Sequence, residues 1–179
     1  MNKNKKPYTE EEMNEFIRHS NWIENERSKE AFQDAKKAWL FAVSLTEITE
    51  NSLLMIHRIL LRRLRPDIAG EYRDCPVMIG GKVKKYFGRE VISAQVNEVL
   101  KLINESIKNP PLLTGDKERI CKELHIKFED VHPHEDCNGR TGRMVMGWQR
   151  IMMGLPLLII HSDWPKEDGE TAKYYEWFR

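Results

Sequence analysis

Apolar residues recur at helical spacing along most of the chain, and the polar residues between them mark the stops. From Ala31, the positions Ala35, Ala38, Trp39 and Ala42 share one helix face, with Ser28 placed to cap its start. A second stripe of Leu53, Ile56, Leu60 and Leu64 predicts a helix beginning after Thr46 and stopped by Pro66. A third runs through Ile92, Val96, Val99, Ile103 and Ile107 and ends before Pro110 and Pro111. A fourth starts near Lys117, after Asp116 as cap, and turns Ile120, Leu124 and Phe128 inward. A fifth begins near Asn138 and buries Met144, Trp148, Ile151, Met152 and Leu155; a short last helix fits Glu170 to Phe178. From Arg73 to Tyr86 the helical period is lost, and an extended run into Gly80-Gly81 predicts a small hairpin. The pattern describes an all-α bundle with one β-hairpin and no repeats, low-complexity tract or dividing linker.

Composition narrows the function classes. The 179 residues make room for one domain, 40% apolar and 32% charged, as in globular proteins. Twenty-nine Lys and Arg against 28 Asp and Glu leave a net charge of +1, which excludes the basic bias of a bulk nucleic-acid binder. Cys75, Cys121 and Cys137 are odd in number and far apart, which argues for a reducing compartment over a disulfide framework. Tyr8 to Arg18 is polar where a signal peptide needs an apolar stretch. The run from Leu155 to Ile160 is too short to cross a bilayer. The expectation is a cytoplasmic protein with neither a nucleic-acid nor a membrane partner.

Chemistry concentrates between the fourth and fifth helices, from Val131 to Arg143. This segment holds an imidazole, carboxylates, an Asn-Gly turn and two arginines at i, i+3 spacing. Backbone N–H groups of the turn and the positive end of a helix make an anion site. Arg140 and Arg143 would point the same way from the first turn, a pair suited to phosphate oxygens. A carboxylate beside them suits Mg²⁺ bridging phosphates, and His132 is a base that works near neutral pH. Two other readings stand. Asn138-Gly139-Arg140 also fits an ordinary turn with solvated arginines. His132, His134 and Cys137 also fit a transition-metal site, with a fourth ligand from Cys75, Cys121, His125 or His161.

The run His132-Pro-His134-Glu-Asp136-Cys137-Asn138-Gly139-Arg140-Thr-Gly142-Arg143 resembles the Fic family signature, His-Pro-Phe-x-(Asp/Glu)-Gly-Asn-Gly-Arg-x-Gly-Arg. Ile56-His57-Arg58-Ile59-Leu60, Ala69-Gly70-Glu71-Tyr72-Arg73, Val77-Met78-Ile79-Gly80-Gly81 and Gly154-Leu155-Pro156 extend the likeness over roughly Thr46 to Ile160. The resemblance implies the Fic fold, a helical bundle with a hairpin flap over the active-site loop. It divides the chain into N-terminal helices to about residue 45, a core over 46–160 and a C-terminal extension over 161–179. It implies transfer of AMP from ATP to a Ser, Thr or Tyr hydroxyl of a target protein. His132 would then be the base, Asp136 the Mg²⁺ ligand, and Asn138, Gly139 and Arg140 the anion hole. Arg143, past Gly142, would meet the γ-phosphate. The flap, Val77, Met78, Ile79, Gly80, Gly81 and Lys82, would hold the target by strand addition. Homodimers occur in the family, but no patch marks an interface here.

Two positions depart from the signature. His134 stands where Phe is usual and needs a polar partner if buried. Cys137 replaces the first Gly, which costs about 1 kcal/mol or more if φ is positive, and places a thiol beside the phosphate path where oxidation could reach it. A brake is implied as well. Ser20-Asn-Trp-Ile23-Glu24-Asn25 resembles the family's inhibitory helix, whose glutamate pairs with the second motif arginine, here Arg143. Thr46-Glu-Ile-Thr-Glu50-Asn51 has the same letters but reads as an ordinary helix start; Glu24 is the expected brake. His57 and His125 read as packing residues, and Trp164, Tyr174, Tyr175 and Trp177 as core or C-terminal docking rather than an adenine platform. Lys82, Lys84 and Lys85 suit an acidic target or a soluble strand edge. The competing functions are transfer of UMP, phosphocholine or phosphate, removal of AMP, and a non-catalytic nucleotide- or protein-binding module.

Overall fold

A computed structural model describes residues 7–79, 82–85, 87–162 and 169–178. Helix α1 (Glu10–Ile23) opens on a capping box in which Thr9 and Glu12 satisfy each other's backbone N–H groups. Helix α2 (Lys29–Ala42) starts where the sequence predicts, with Ser28 Oγ accepting from Ala31 N–H. Helix α3 (Glu50–Leu61) begins later than expected, because Thr49 and Ser52 form the cap and leave Thr46 outside. The cause is remote: the Asn104 side chain bonds both the N–H and the C=O of Ile48 and so engages its backbone outside the helix. The helix also ends before Pro66, at Leu61, so Leu64 lies in the turn beyond it, half-buried.

Strands β1 (Val77–Ile79) and β2 (Lys82–Lys84) pair antiparallel, Val77 opposite Lys84 and Met78 opposite Val83. The expected hairpin is thus present, with Gly80 and Gly81 outside the described residues. Helix α4 (Arg89–Lys108) stops before the Pro110-Pro111 pair. Helix α5 (Thr114–Val131) starts earlier than Lys117, so Asp116 sits in its first turn and pairs with Arg119 instead of capping. Helix α6 (Asn138–Met152) carries Met144 and Trp148 inward and Leu155 beyond it is buried as expected, but Met152 is exposed and Met153 fills the core in its place. Helix α7 (Glu170–Tyr175) runs into a 3-10 turn over Glu176–Phe178.

Helix α6 is the axis of the bundle. It packs on each of α1 to α5 and is buried along nearly its whole length, around the fully buried Trp39 and Trp148. Asp34 of α2, itself buried, accepts ion pairs from Arg62 and Arg63 just past α3 and joins those two helices. A smaller cluster of Ile23, Cys121, Met146, Leu155 and Tyr174 ties the tip of α1 and the C-terminal segment to α5 and α6. No helix among the described residues is long and apolar enough to cross a membrane. The arrangement brings the end of α5, the start of α6, the tip of α1 and helix α7 to one place.

Candidate active site

The loop from His132 to Cys137 joins α5 to α6 and is bounded by residues in the left-handed region, His132 at φ 48° and Cys137 at φ 63°. Asn25, at φ 56°, is the third and last non-glycine of this kind among the described residues, and it ends α1 beside the same loop. Such backbone costs on the order of 1 kcal/mol per residue and tends to collect at functional sites.

The loop is over-determined from within. Asn138 Oδ1 accepts from His134 N–H and Asn138 Nδ2 donates to His134 C=O, each at 2.9 Å. His134 is fully buried and stacks on His57 at 3.7 Å with ring planes 4° apart. Its Nδ1 lies 2.8 Å from the Glu71 carbonyl and must therefore carry the proton, while Nε2 has no hydrogen-bond partner among the described residues. His57 Nδ1 accepts from Gly70 N–H, so its Nε2–H donates to the Asp136 carbonyl. Burial pushes His57 down to about 4 and His134 well below its usual range, so both rings are neutral. Arg73, unmarked in the sequence, donates through Nε to His132 C=O and through its guanidinium to Cys75 C=O and Lys85 C=O. One side chain thus ties both ends of the hairpin to the loop. The hairpin presents Met78 and Val83 to solvent, and Lys84 pairs with Asp130.

His132 is mostly buried, and burial holds its imidazole below the ordinary range, neutral near pH 7. Its Nδ1 faces the Glu129 carbonyl at 3.3 Å, which places the hydrogen on Nδ1 and leaves Nε2 a lone pair. Asp136 is exposed; one carboxylate oxygen accepts from Cys137 N–H and the other has no hydrogen-bond partner among the described residues. A single free carboxylate oxygen at a helix N-terminus is a hard donor of the kind that would suit Mg²⁺. Cys137 corrects an expectation: its thiol is buried and pushed up to about 11 by that burial, which protects it from oxidation.

The two arginines differ. Arg140 is buried, and its Nε has no hydrogen-bond partner among the described residues. Arg143 instead turns toward α1 and α7 with every nitrogen engaged. Nε donates to Ser20 Oγ at 3.0 Å, Nη2 to Ser20 C=O and to Glu24 Oε1 at 2.7 Å, and Nη1 to Tyr174 Oη at 3.3 Å. The expectation that both guanidiniums serve one anion therefore does not describe this state. Glu24 reaches the N-terminus of α6 because residue 139 is Gly; a Cβ there would overlap Glu24 Oε1. Asn25 supplies the left-handed turn that lets α1 stop at that point. Glu50, the other brake-like glutamate, accepts from Ser93 and Asn97 on α4 instead.

His132, His134 and Cys137 do not converge, and no group of His, Cys, Asp and Glu suited to a metal ion occurs among the described residues. Trp164 lies outside those residues, while Tyr174 is buried with its hydroxyl shared between Arg143 and His125. Sequence reading gave Tyr174 no role at Arg143, and it passed over Glu129, whose buried carboxyl lies against Gly142 and is pushed up to about 8 by burial. A buried acid one turn before the candidate base is a signal the spacing does carry.

The model of the Fic/DOC family matches residues 47–149. A protein adenylyltransferase Fic of Drosophila virilis is 31% identical over 137 residues, 76% of this chain and 26% of the relative. That of Culex quinquefasciatus is 30% identical over 132 residues, 74% and 24%. The match thus spans about a quarter of the length of these curated relatives. Among solved structures, a Fic domain containing signaling protein from Bacteroides thetaiotaomicron superposes with TM-score 0.72 at 21% identity, covering 95% of this chain and 74% of that one. Fic-1 from C. elegans does so with TM-score 0.71 at 22% identity, covering 94% and 55%.

Proposed function

The chain belongs to the Fic/DOC family, and from that premise we propose that it is a protein adenylyltransferase held at rest by its own first helix. The observation that carries the reading is the contrast between the arginines at the α6 N-terminus. Arg140 has a buried donor without a partner, as an anion site would. Arg143 is closed by Glu24, a carboxylate standing where a terminal phosphate would.

In the active state ATP lays its phosphates along the α6 N-terminus, against the backbone of Asn138 and Gly139 and the Arg140 side chain. Mg²⁺ held by Asp136 supplies charge neutralisation at the phosphates when bound. A Ser, Thr or Tyr hydroxyl of a target protein, aligned by a segment added to the β1–β2 edge, faces the α-phosphorus. His132 Nε2 takes the hydroxyl proton as the oxygen–phosphorus bond forms, and pyrophosphate departs with the electrons of the broken bridge. Glu24 blocks this by occupying Arg143, so the γ-phosphate lacks its clamp and the α-phosphorus is misaligned.

The test is label transfer from α-labelled ATP with Mg²⁺, alone and in cell lysate. Glu24→Gly is expected to raise incorporation at least about tenfold, the equivalent of roughly 1.4 kcal/mol of brake. Glu24→Gly with His132→Ala returns it to background. Label from UTP or CDP-choline instead of ATP would replace the donor, and no label in any variant would leave a binding module.

A further inference from the structure

Glu129 occupies an unusual position for a carboxyl group. It lies on α5 one turn before His132, with Oε2 3.8 Å from His132 Nδ1, and its backbone carbonyl is 3.3 Å from the same nitrogen. The carbonyl accepts from Nδ1 and the carboxyl lies within ion-pair distance of the same nitrogen, both from one residue. Oε1 is buried without a hydrogen-bond partner among the described residues, and the carboxyl fits only because residue 142 is Gly; a Cβ there would overlap Oε1. Unpartnered buried carboxyl oxygens are costly and uncommon, and this one is wedged behind the base.

We propose that Glu129 is a positioning residue that holds His132 in the Nδ1–H form, stabilises its imidazolium during proton transfer, and couples the base to the Glu24–Arg143 pair. This rests on the adenylyltransferase reading. When His132 Nε2 takes the proton of the target hydroxyl, the ring becomes a cation with both nitrogens protonated. An ionised Glu129 beside Nδ1 then offsets that charge, whereas a protonated one does not.

The charged and titratable groups facing Glu129 set which form is present. They are Arg143 from α6, Glu24 from the tip of α1, Tyr174 and Tyr175 from α7, His125 on α5 itself and His132 just past its end. Burial pushes the carboxyl up to about 8; the negative charge of Glu24 adds to this and Arg143 opposes it. Burial keeps Glu129 protonated at neutral pH; docked Glu24 reinforces this, and its withdrawal leaves the opposing charge of Arg143 to lower the value. The brake acts on the base as well as on the phosphate clamp.

The experiment follows the His132 ring nitrogens by NMR in ¹⁵N-histidine-labelled, nucleotide-free protein, with His132→Ala for assignment. Wild type is expected to show the Nδ1–H tautomer and a second inflection near pH 8 from the neighbouring carboxyl. Glu129→Gln, which keeps the shape, removes that inflection, and Glu24→Gly moves it to lower pH. An inflection that survives Glu129→Gln, or that stays in place in Glu24→Gly, overturns the proposal. In turnover, adding Glu129→Gln to Glu24→Gly is expected to lower kcat about tenfold with KM for ATP within about twofold, and to flatten the rise of rate with pH. An equal loss at every pH would mean a structural role only and also overturns it. If Glu24→Gly transfers no label, the transferase reading fails while the NMR titration still decides the placement of Glu129.

Discussion

His134 shows how a single residue can satisfy a site by a route its type does not suggest. Where the family signature has Phe, the imidazole fills the space, stacks on His57 and answers its donor with the Glu71 carbonyl, yet leaves Nε2 unpaired. The substitution was legible in the sequence; its partner, 63 residues away, was not. His134→Phe removes the orphaned nitrogen and a ring that must stay neutral. The protein is expected to unfold at a temperature within about 4 °C of wild type at neutral pH, since about 1 kcal/mol each way is exchanged. At acid pH the variant should be clearly the more stable, because unfolding wild type releases an imidazole that takes up a proton the folded state refuses. Thermal melts at both pH values check this. Cys137 is the opposite case. The left-handed conformation suspected from the replaced glycine is present, but its burial, which decides reactivity, came from packing that no local pattern encodes.

Among the elements, starts set by local caps were readable and starts set by distant partners were not. Ser28 capping α2 needs only its own neighbours, whereas α3 begins at Glu50 because Asn104 of another helix holds Ile48. The same distinction applies to α1. Its Ser-x-x-x-Glu-Asn lettering is local, but Ser20 acts at long range, giving Arg143 both a hydroxyl and a carbonyl acceptor. Ser20→Ala strands the buried Arg143 Nε, at a cost of about 1–3 kcal/mol to the docked helix. Label transfer is therefore expected to rise to a level between wild type and Glu24→Gly, with a lower melting temperature than wild type. Unchanged labelling would mean that Glu24 alone holds the helix down. Tyr174 docks in the core as its sequence context suggests, but its bond to Arg143, like the tie Arg73 makes to the loop, runs to other elements and carries no local signal.

Across the whole molecule, buried titratable groups shape stability in opposing directions. His57 and His125, with folded values of about 4 and about 3, bind fewer protons folded than unfolded, so stability falls as pH drops from about 6.5 through those values. Glu129, raised from 4.5 to about 8, keeps its proton when folded and loses it when unfolded, so stability falls as pH rises through that interval. Denaturant titration is expected to show a maximum near pH 6.5, with a decline up to about pH 8 that Glu129→Gln removes. The ion pair between Glu24 and Arg143 joins residues 119 positions apart, and its acidic member comes first in the chain. During synthesis α1 therefore leaves the ribosome well before the residues that build the anion site. On the reading proposed here the restraint exists before the activity it restrains, and a newly made molecule passes through no interval in which the catalytic loop is complete and unguarded.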